Sequence, residues 1–166
     1  MRNNLEQALN KFGKDVVQQS RSRLSKSKSN SSKGLYDSLG YDLNVSKNSF
    51  SLSFEMEDYG KFVDQGVSGK DKKYNTPFSY GTKAPPPTVF KDWSKNRGIK
   101  PRDKKTGKFI TDKSFGFIMS RHIFSKGIEP KKFFKTSFEQ QFKKLPDDIV
   151  KAFNLDLDNF LDFTNG

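Results

Sequence analysis

Between Asp58 and Lys73 the chain reads DYGKFVDQGVSGKDKK, and Gly66, Gly69 and Lys70 are residue types that a phosphate-binding loop uses. Such a loop wraps phosphate oxygens in successive backbone N–H groups, and a hydroxyl residue after its lysine holds magnesium. The required spacing is glycine, four residues, then Gly-Lys-Ser/Thr. Here Gly66 stands three residues before Gly69, and Asp71 replaces the hydroxyl residue with a charge that repels phosphate. No strong helical pattern follows the lysine. The stretch therefore reads as a structural corner from which a basic, mobile connection departs.

Three other sets could carry chemistry. Glu55, Glu57, Asp58 and Asp64 cluster in sequence beside Lys61, which are the types a metal-dependent nuclease employs. They lack a second convergent cluster, and acidic residues at a strand end are usually solvated. The nuclease reading would need magnesium-dependent cleavage that is lost in Asp64→Ala. His122 is the only histidine, and it shares a helical stripe with Ile118 and Met119, which predicts a packed core histidine. There is no cysteine, so disulfides, thiolate zinc sites and cysteine nucleophiles are excluded. One histidine without cysteine assembles neither a serine triad nor a zinc site. The expectation is a chain that is not an enzyme and binds no cofactor or metal.

The elements that hold these residues follow from periodicity. Leu5, Leu9, Phe12 and Val16 recur at helical spacing and predict an amphipathic helix over about residues 3–26. A Ser/Lys-rich stretch follows, reading as a linker or a frayed helix end. Leu39, Tyr41, Leu43 and Val45 alternate with small or polar residues, as do Phe50, Leu52, Phe54 and Met56. Two such runs around SKNS predict a β-hairpin with one buried face. Tyr59, Phe62 and Val63 fit a helical turn or bent strand ended by Gly66. Residues 69–87 form a long irregular connection. Its proline run, Pro85 to Pro87, opens a helix with Val89, Phe90 and Trp93, and Gly98 ends that helix.

Residues 94–113 read as an exposed basic loop, with 105–108 as a hairpin tip. Phe115, Ile118, Met119, His122 and Ile123 mark a further helix stopped by Gly127. Phe134, Phe138, Phe142 and Leu145 mark another, broken at Pro146, and Ile149, Phe153, Leu157, Phe160 and Leu161 a last amphipathic segment. With 17 Phe in 166 residues, the core is expected to be aromatic-rich. The predicted class is α+β: an antiparallel sheet built on the hairpin, packed by a long N-terminal helix and by C-terminal helices. The domain reading is 1–145 as the α+β body and 146–166 as an acidic amphipathic extension.

Charge is uneven. The chain carries +12, and residues 146–166 hold five Asp against Lys151, a net −4, which leaves +16 on the 145 residues before them. A basic body with an acidic tail suits an anionic partner, or a tail that docks on a basic neighbour. Two basic sets stand out: Arg21, Arg23, Lys26 and Lys28, then Lys95, Arg97, Lys100, Arg102, Lys104, Lys105 and Lys108. They could neutralise DNA phosphates without reading sequence. Aromatic residues are not interleaved in them, so base stacking is not indicated. No apolar run of about 18 residues predicts a membrane span, and the N-terminus lacks the apolar core of a signal peptide.

The order of these pieces resembles a family of small neck proteins of tailed phages, the tail-completion or head–tail joining proteins. The resemblance rests on Leu35-Tyr36-Asp37-Ser38 before the hairpin and on Tyr59, Phe62, Val63, Asp64 and Gly66 after it. It extends to the proline-led helix with Trp93, to Gly127-Ile128 closing a late helix, and to Phe133-Phe134 opening the next. It covers about residues 1–142. Gly66-Val67 replaces the family's usual Gly-Thr, and 146–166 lies outside the pattern.

The resemblance implies a helix-on-sheet fold and a homo-oligomeric ring, hexameric or dodecameric, between the portal and the tail. It implies partners in the portal, adaptor or head-completion protein and in the tail tube or tail terminator protein. It also implies a place in the neck of the virion after assembly in the host cytoplasm. Tyr59, Phe62, Trp93, Phe133 and Phe134 are the expected core or interface anchors. The basic loops would contact a partner or the genomic DNA in the lumen. The alternative is a nonspecific DNA-binding protein that uses the same basic loops.

Overall fold

The computed structural model describes residues 3–27, 33–46 and 49–151. The chain is an α+β fold. The chain divides by its contacts into two compact units: of the described residues, 58–132 with Lys33 form one, and 3–27, 34–46, 49–57 and 133–151 form the other.

In the first unit, helix α1 (Asn3–Lys26) has the bounds its apolar spacing predicts. Leu9, Phe12, Val16, Ser20 and Leu24 form its buried stripe. Helix α2 (Gly34–Ser38) is a single turn that leads into strands β1 (Gly40–Val45) and β2 (Phe50–Glu55). The strands pair antiparallel, with Tyr41 opposite Phe54 and Leu43 opposite Leu52. These four side chains are half-buried, while Asp42, Asn44, Ser51 and Ser53 face outward. The predicted alternation is thus realised, although Val45 and Phe50 at the tip are exposed. Gly13 leaves room for the Tyr41 ring, since a Cβ there would lie 2.5 Å from a ring carbon.

Helix α6 (Phe133–Phe142) packs on α1. Phe133 is fully buried, and Phe54 meets Phe12, Phe134 and Phe138 edge-on with ring centroids 5.4–6.1 Å apart. Edge-to-face pairs of this kind add roughly 0.5–1.5 kcal/mol each beyond area burial, and they form the aromatic core that the Phe content predicts. At the helix pair's edge, Gln19 donates to Gln140 Oε1 and accepts from Gln141 Nε2. The backbone is helical again at 145–151, with Pro146 in its first turn. The rest of the acidic extension, 152–166, lies outside the described residues.

The second unit starts with helix α3 (Gly60–Gln65), closed by Gly66 at φ +76°. The two-residue strand β3 (Val67–Ser68) follows and pairs antiparallel with β4 (Gly127–Ile128). Helix α4 (Pro87–Asn96) begins at the proline run as expected, and Gly98 takes a left-handed φ of +62° just beyond its end. Residues 101–110 fold back as a hairpin: Arg102 bridges Phe109, Asp103 N–H donates to Lys108 C=O, and Ile110 N–H donates to Pro101 C=O. Helix α5 (Asp112–Lys126) opens with the Thr111 hydroxyl accepting from Ser114 N–H.

The face that α5 buries differs from the predicted stripe. Phe115, Gly116 and Ser120 are buried, Ile118 is 52% exposed, and His122 is exposed. His122 is therefore a surface residue and not the packed core histidine its spacing suggested. The cause is α4. Its first turn comes so close that a Cβ on Gly116 would meet Pro87 C=O at 2.5 Å, and Ser120 Oγ donates to Pro85 C=O at 2.6 Å. A close helix contact selects small residues, and α5 has large apolar residues on several faces that could not all be buried.

Candidate interaction surfaces

The corner at 66–72 is built from the inside. Five successive N–H groups, of residues 68 to 72, donate to the carbonyls of Phe78, Lys72, Phe124, Ser125 and Ser125 in turn. None of those five donors remains for a phosphate, which agrees with the spacing argument. Gly69 and Gly127 cross backbone on backbone, so that a Cβ on either would collide with main-chain atoms of the other segment. Asp71 accepts from the Ser125 hydroxyl. The mobile connection expected after Gly69 is instead tied down. Ser68 Oγ donates to Tyr74 C=O and accepts from Tyr74 N–H, and Thr76 Oγ1 donates to Gly66 C=O.

This folded connection contributes Pro77, Phe78 and Tyr80 to the lining of an apolar groove of about 640 Å³, whose other lining residues include Tyr59, Phe62, Val63, Val67 and Ile128. Phe62 and Phe78 meet edge-on at 4.7 Å. Tyr59 stands at the rim, 45% exposed. Burial raises the Tyr80 hydroxyl above its ordinary pKa of 10.0. Two of the expected anchors, Tyr59 and Phe62, thus line a surface feature. Phe78 and Tyr80 also line the groove, a role their sequence context does not reveal although they alternate after Pro77 in the manner of a short strand.

The other anchors pack against aromatic rings or in the core, Phe133 buried and Trp93 and Phe134 half-buried. Trp93 stacks parallel to Phe115 at 6.4 Å, Phe133 is fully buried, and Phe134 packs on Phe54. The first basic set is divided. Arg21 donates to Tyr36 C=O at 3.1 Å and Leu39 C=O at 2.7 Å and lies on the Tyr36 ring. Arg23 donates to Gln140 Oε1, Lys26 is exposed, and Lys28 lies outside the described residues. The second set is concentrated on the surface. Arg97 sits over the Trp93 ring, and Lys95, Lys100, Arg102, Lys104, Lys105 and Lys108 are exposed on and beside the 101–110 hairpin.

Within that hairpin Arg102 lies 4.2 Å from the centroid of Phe109, which is 60% exposed. An aromatic ring is therefore interleaved with the basic residues after all, brought there by strand pairing and not by adjacency to Arg102. Asp103 accepts from the N–H groups of Thr106 and Lys105 and from the Thr106 hydroxyl, and these bonds hold its carboxyl below its ordinary pKa.

Glu55, Glu57 and Asp58 are exposed, Asp64 is buried in α3, and no group of three or more acidic or histidine side chains able to hold a metal ion exists among the described residues. No described helix is long and apolar enough to cross a membrane. Comparison with family models, curated proteins and solved structures gave no match.

Proposed function

We propose that the chain is a structural subunit of a tailed-phage neck, forming a homo-oligomeric ring that joins the portal or head-completion complex to the tail. The observation that carries this reading is the succession of elements that hold the resembling motifs. Leu35 to Ser38 form the turn α2 ahead of the β1–β2 hairpin, and Phe62 and Val63 lie in α3, which Gly66 closes. Trp93 lies in the proline-led α4, Gly127-Ile128 follows α5, and Phe133-Phe134 opens α6. An exposed aromatic groove beside a tied-down corner suits a protein that works by burying faces against neighbours. In this reading the chain catalyses nothing, its partners are its own copies and the portal-side and tail-side proteins, and assembly occurs in the host cytoplasm.

The test is location. An antibody to the full chain, applied to tailed particles made by the source of this sequence, is expected to decorate the head–tail junction in electron micrographs. Decoration elsewhere, or particles that lack the chain, overturns the reading.

The Arg102–Phe109 contact favours nonspecific DNA binding as a second reading, since a cationic hairpin with an exposed ring can engage both phosphates and bases. Titration of the full chain with duplex DNA separates the two. If DNA binding is the chain's own activity, log affinity falls with log salt by about 0.9 per phosphate contacted, and the chain is not confined to the neck.

A further inference from the structure

We propose that the apolar groove lined by Phe62, Phe78 and Tyr80 receives the 152–166 segment of a second copy of this chain. The proposal rests on the reading of the chain as a self-assembling subunit and names the contact that links one copy to the next.

The groove is apolar, is folded from one unit, and has about 640 Å³ of space. That lies within the range of roughly 300–1,000 Å³ in which small ligands are buried, so it fits a few side chains and not a folded domain. The chain segments that supply its lining carry a net positive charge. Residues 59–80 and 128–132 together carry six Lys against Asp64, Asp71 and Glu129, a net +3. Lys61 places its ammonium 5.2 Å from the centroid of the groove-lining Phe62 ring.

The segment 152–166, AFNLDLDNFLDFTNG, has the complementary composition. It carries three Asp and no cation, a net −3, together with three Phe and three Leu. Phe153, Leu157, Phe160 and Leu161 are spaced as one face of a helix. Six large apolar side chains in fifteen residues need a cover, and an acidic segment with apolar residues at helical spacing complements an apolar groove whose lining segments are net positive. Groove and segment are two different patches on one chain. Engagement between copies is therefore heterologous, the kind of contact that closes a ring.

The experiment uses the full chain. A benzophenone amino acid is placed at position 157, ¹⁵N-labelled and natural-abundance chains are mixed, and photocrosslinks are mapped by mass spectrometry. The expected products join position 157 to residues 59–80, with mixed-isotope pairs among them. Phe160→Asp is expected to weaken association by tenfold or more, as loss of a central aromatic anchor does, and Tyr59→Glu at the rim to do so without unfolding the chain. Crosslinks only within single chains, crosslinks to other surfaces, or no crosslink to the groove overturn the proposal. The neck reading fails separately: crosslinks into the groove from a chain that is absent from the head–tail junction keep this contact and remove that function.

Discussion

The guanidinium of Arg21 donates to the carbonyls of Tyr36 and Leu39 and lies against the Tyr36 ring, so it ties the turn before the sheet to α1. In the sequence it belongs to a basic run that could equally touch DNA. Charge type was legible there, but its partner was not, because both acceptors are backbone carbonyls 15 and 18 residues away. Hydrogen bonds from a charged donor contribute roughly 1.5–3 kcal/mol each before non-additivity. Arg21→Ala is therefore expected to destabilise the chain by about 2–3 kcal/mol. Arg21→Lys should recover little, since an ammonium lacks the fork that reaches two acceptors. Arg102→Ala, on an exposed hairpin, should stay within about 0.5 kcal/mol. Urea midpoints of the three variants check this ranking, and equal midpoints for Arg21→Ala and Arg102→Ala would contradict it. His122 shows the same limit: its position on a helix was readable, but the face turned inward depended on Pro85 and Pro87.

Among elements, legibility tracked length and period. The β1–β2 hairpin was readable because six residues on each side alternate. The helix α1 was readable because its apolar spacing persists over several turns. The β3–β4 ribbon was not, since two-residue strands carry no period and the paired residues are 59 and 61 positions apart. With the ribbon went part of the groove's lining, which the sequence presents only as an irregular connection. What identifies the ribbon physically is its glycines. Gly69 and Gly127 admit the other segment's main chain at distances no Cβ permits, and Gly127 also has a φ of +74°. Backbone atoms cannot rotate away as a side-chain tip does, so the ribbon must separate to accept a methyl group. Gly69→Ala and Gly127→Ala are each expected to cost about 2 kcal/mol or more, within the range of strained or overpacked sites. Gly81→Ala meets nothing within 4 Å and should be neutral or slightly stabilising. Thermal unfolding of the three variants tests the claim. A ribbon that tolerates alanine at 69 would mean that the crossing is not what holds the corner.

For the whole molecule, the division into two units was hidden because the first is assembled from three stretches of chain around an inserted 58–132. Helix and strand periodicity show which faces are apolar but not which stretches cover one another. Each unit nevertheless has its own buried set. Leu9, Val16, Leu24, Leu39 and Phe133 serve the first, and Val67, Phe115 and the small residues Ser68, Ser94 and Ser120 the second. The second set is poorer in large apolar side chains, and burial of each such group stabilises by roughly 1.5–3 kcal/mol. The 58–132 unit is therefore expected to be the less stable of the two and to open at a lower free energy, as cooperative sub-units of a fold commonly do. Native-state hydrogen exchange in low denaturant reads this directly. Amides of α5 and of the β3–β4 ribbon should exchange together, ahead of those of α1 and α6, and Gly127→Ala should accelerate the first group while leaving the second unchanged. If both groups exchange at one free energy and respond equally to that substitution, the chain behaves as a single cooperative block. In the first case the groove is carried by the more labile part of the molecule, and occupation of the groove by another copy would raise the protection of 67–80 and 124–128 selectively.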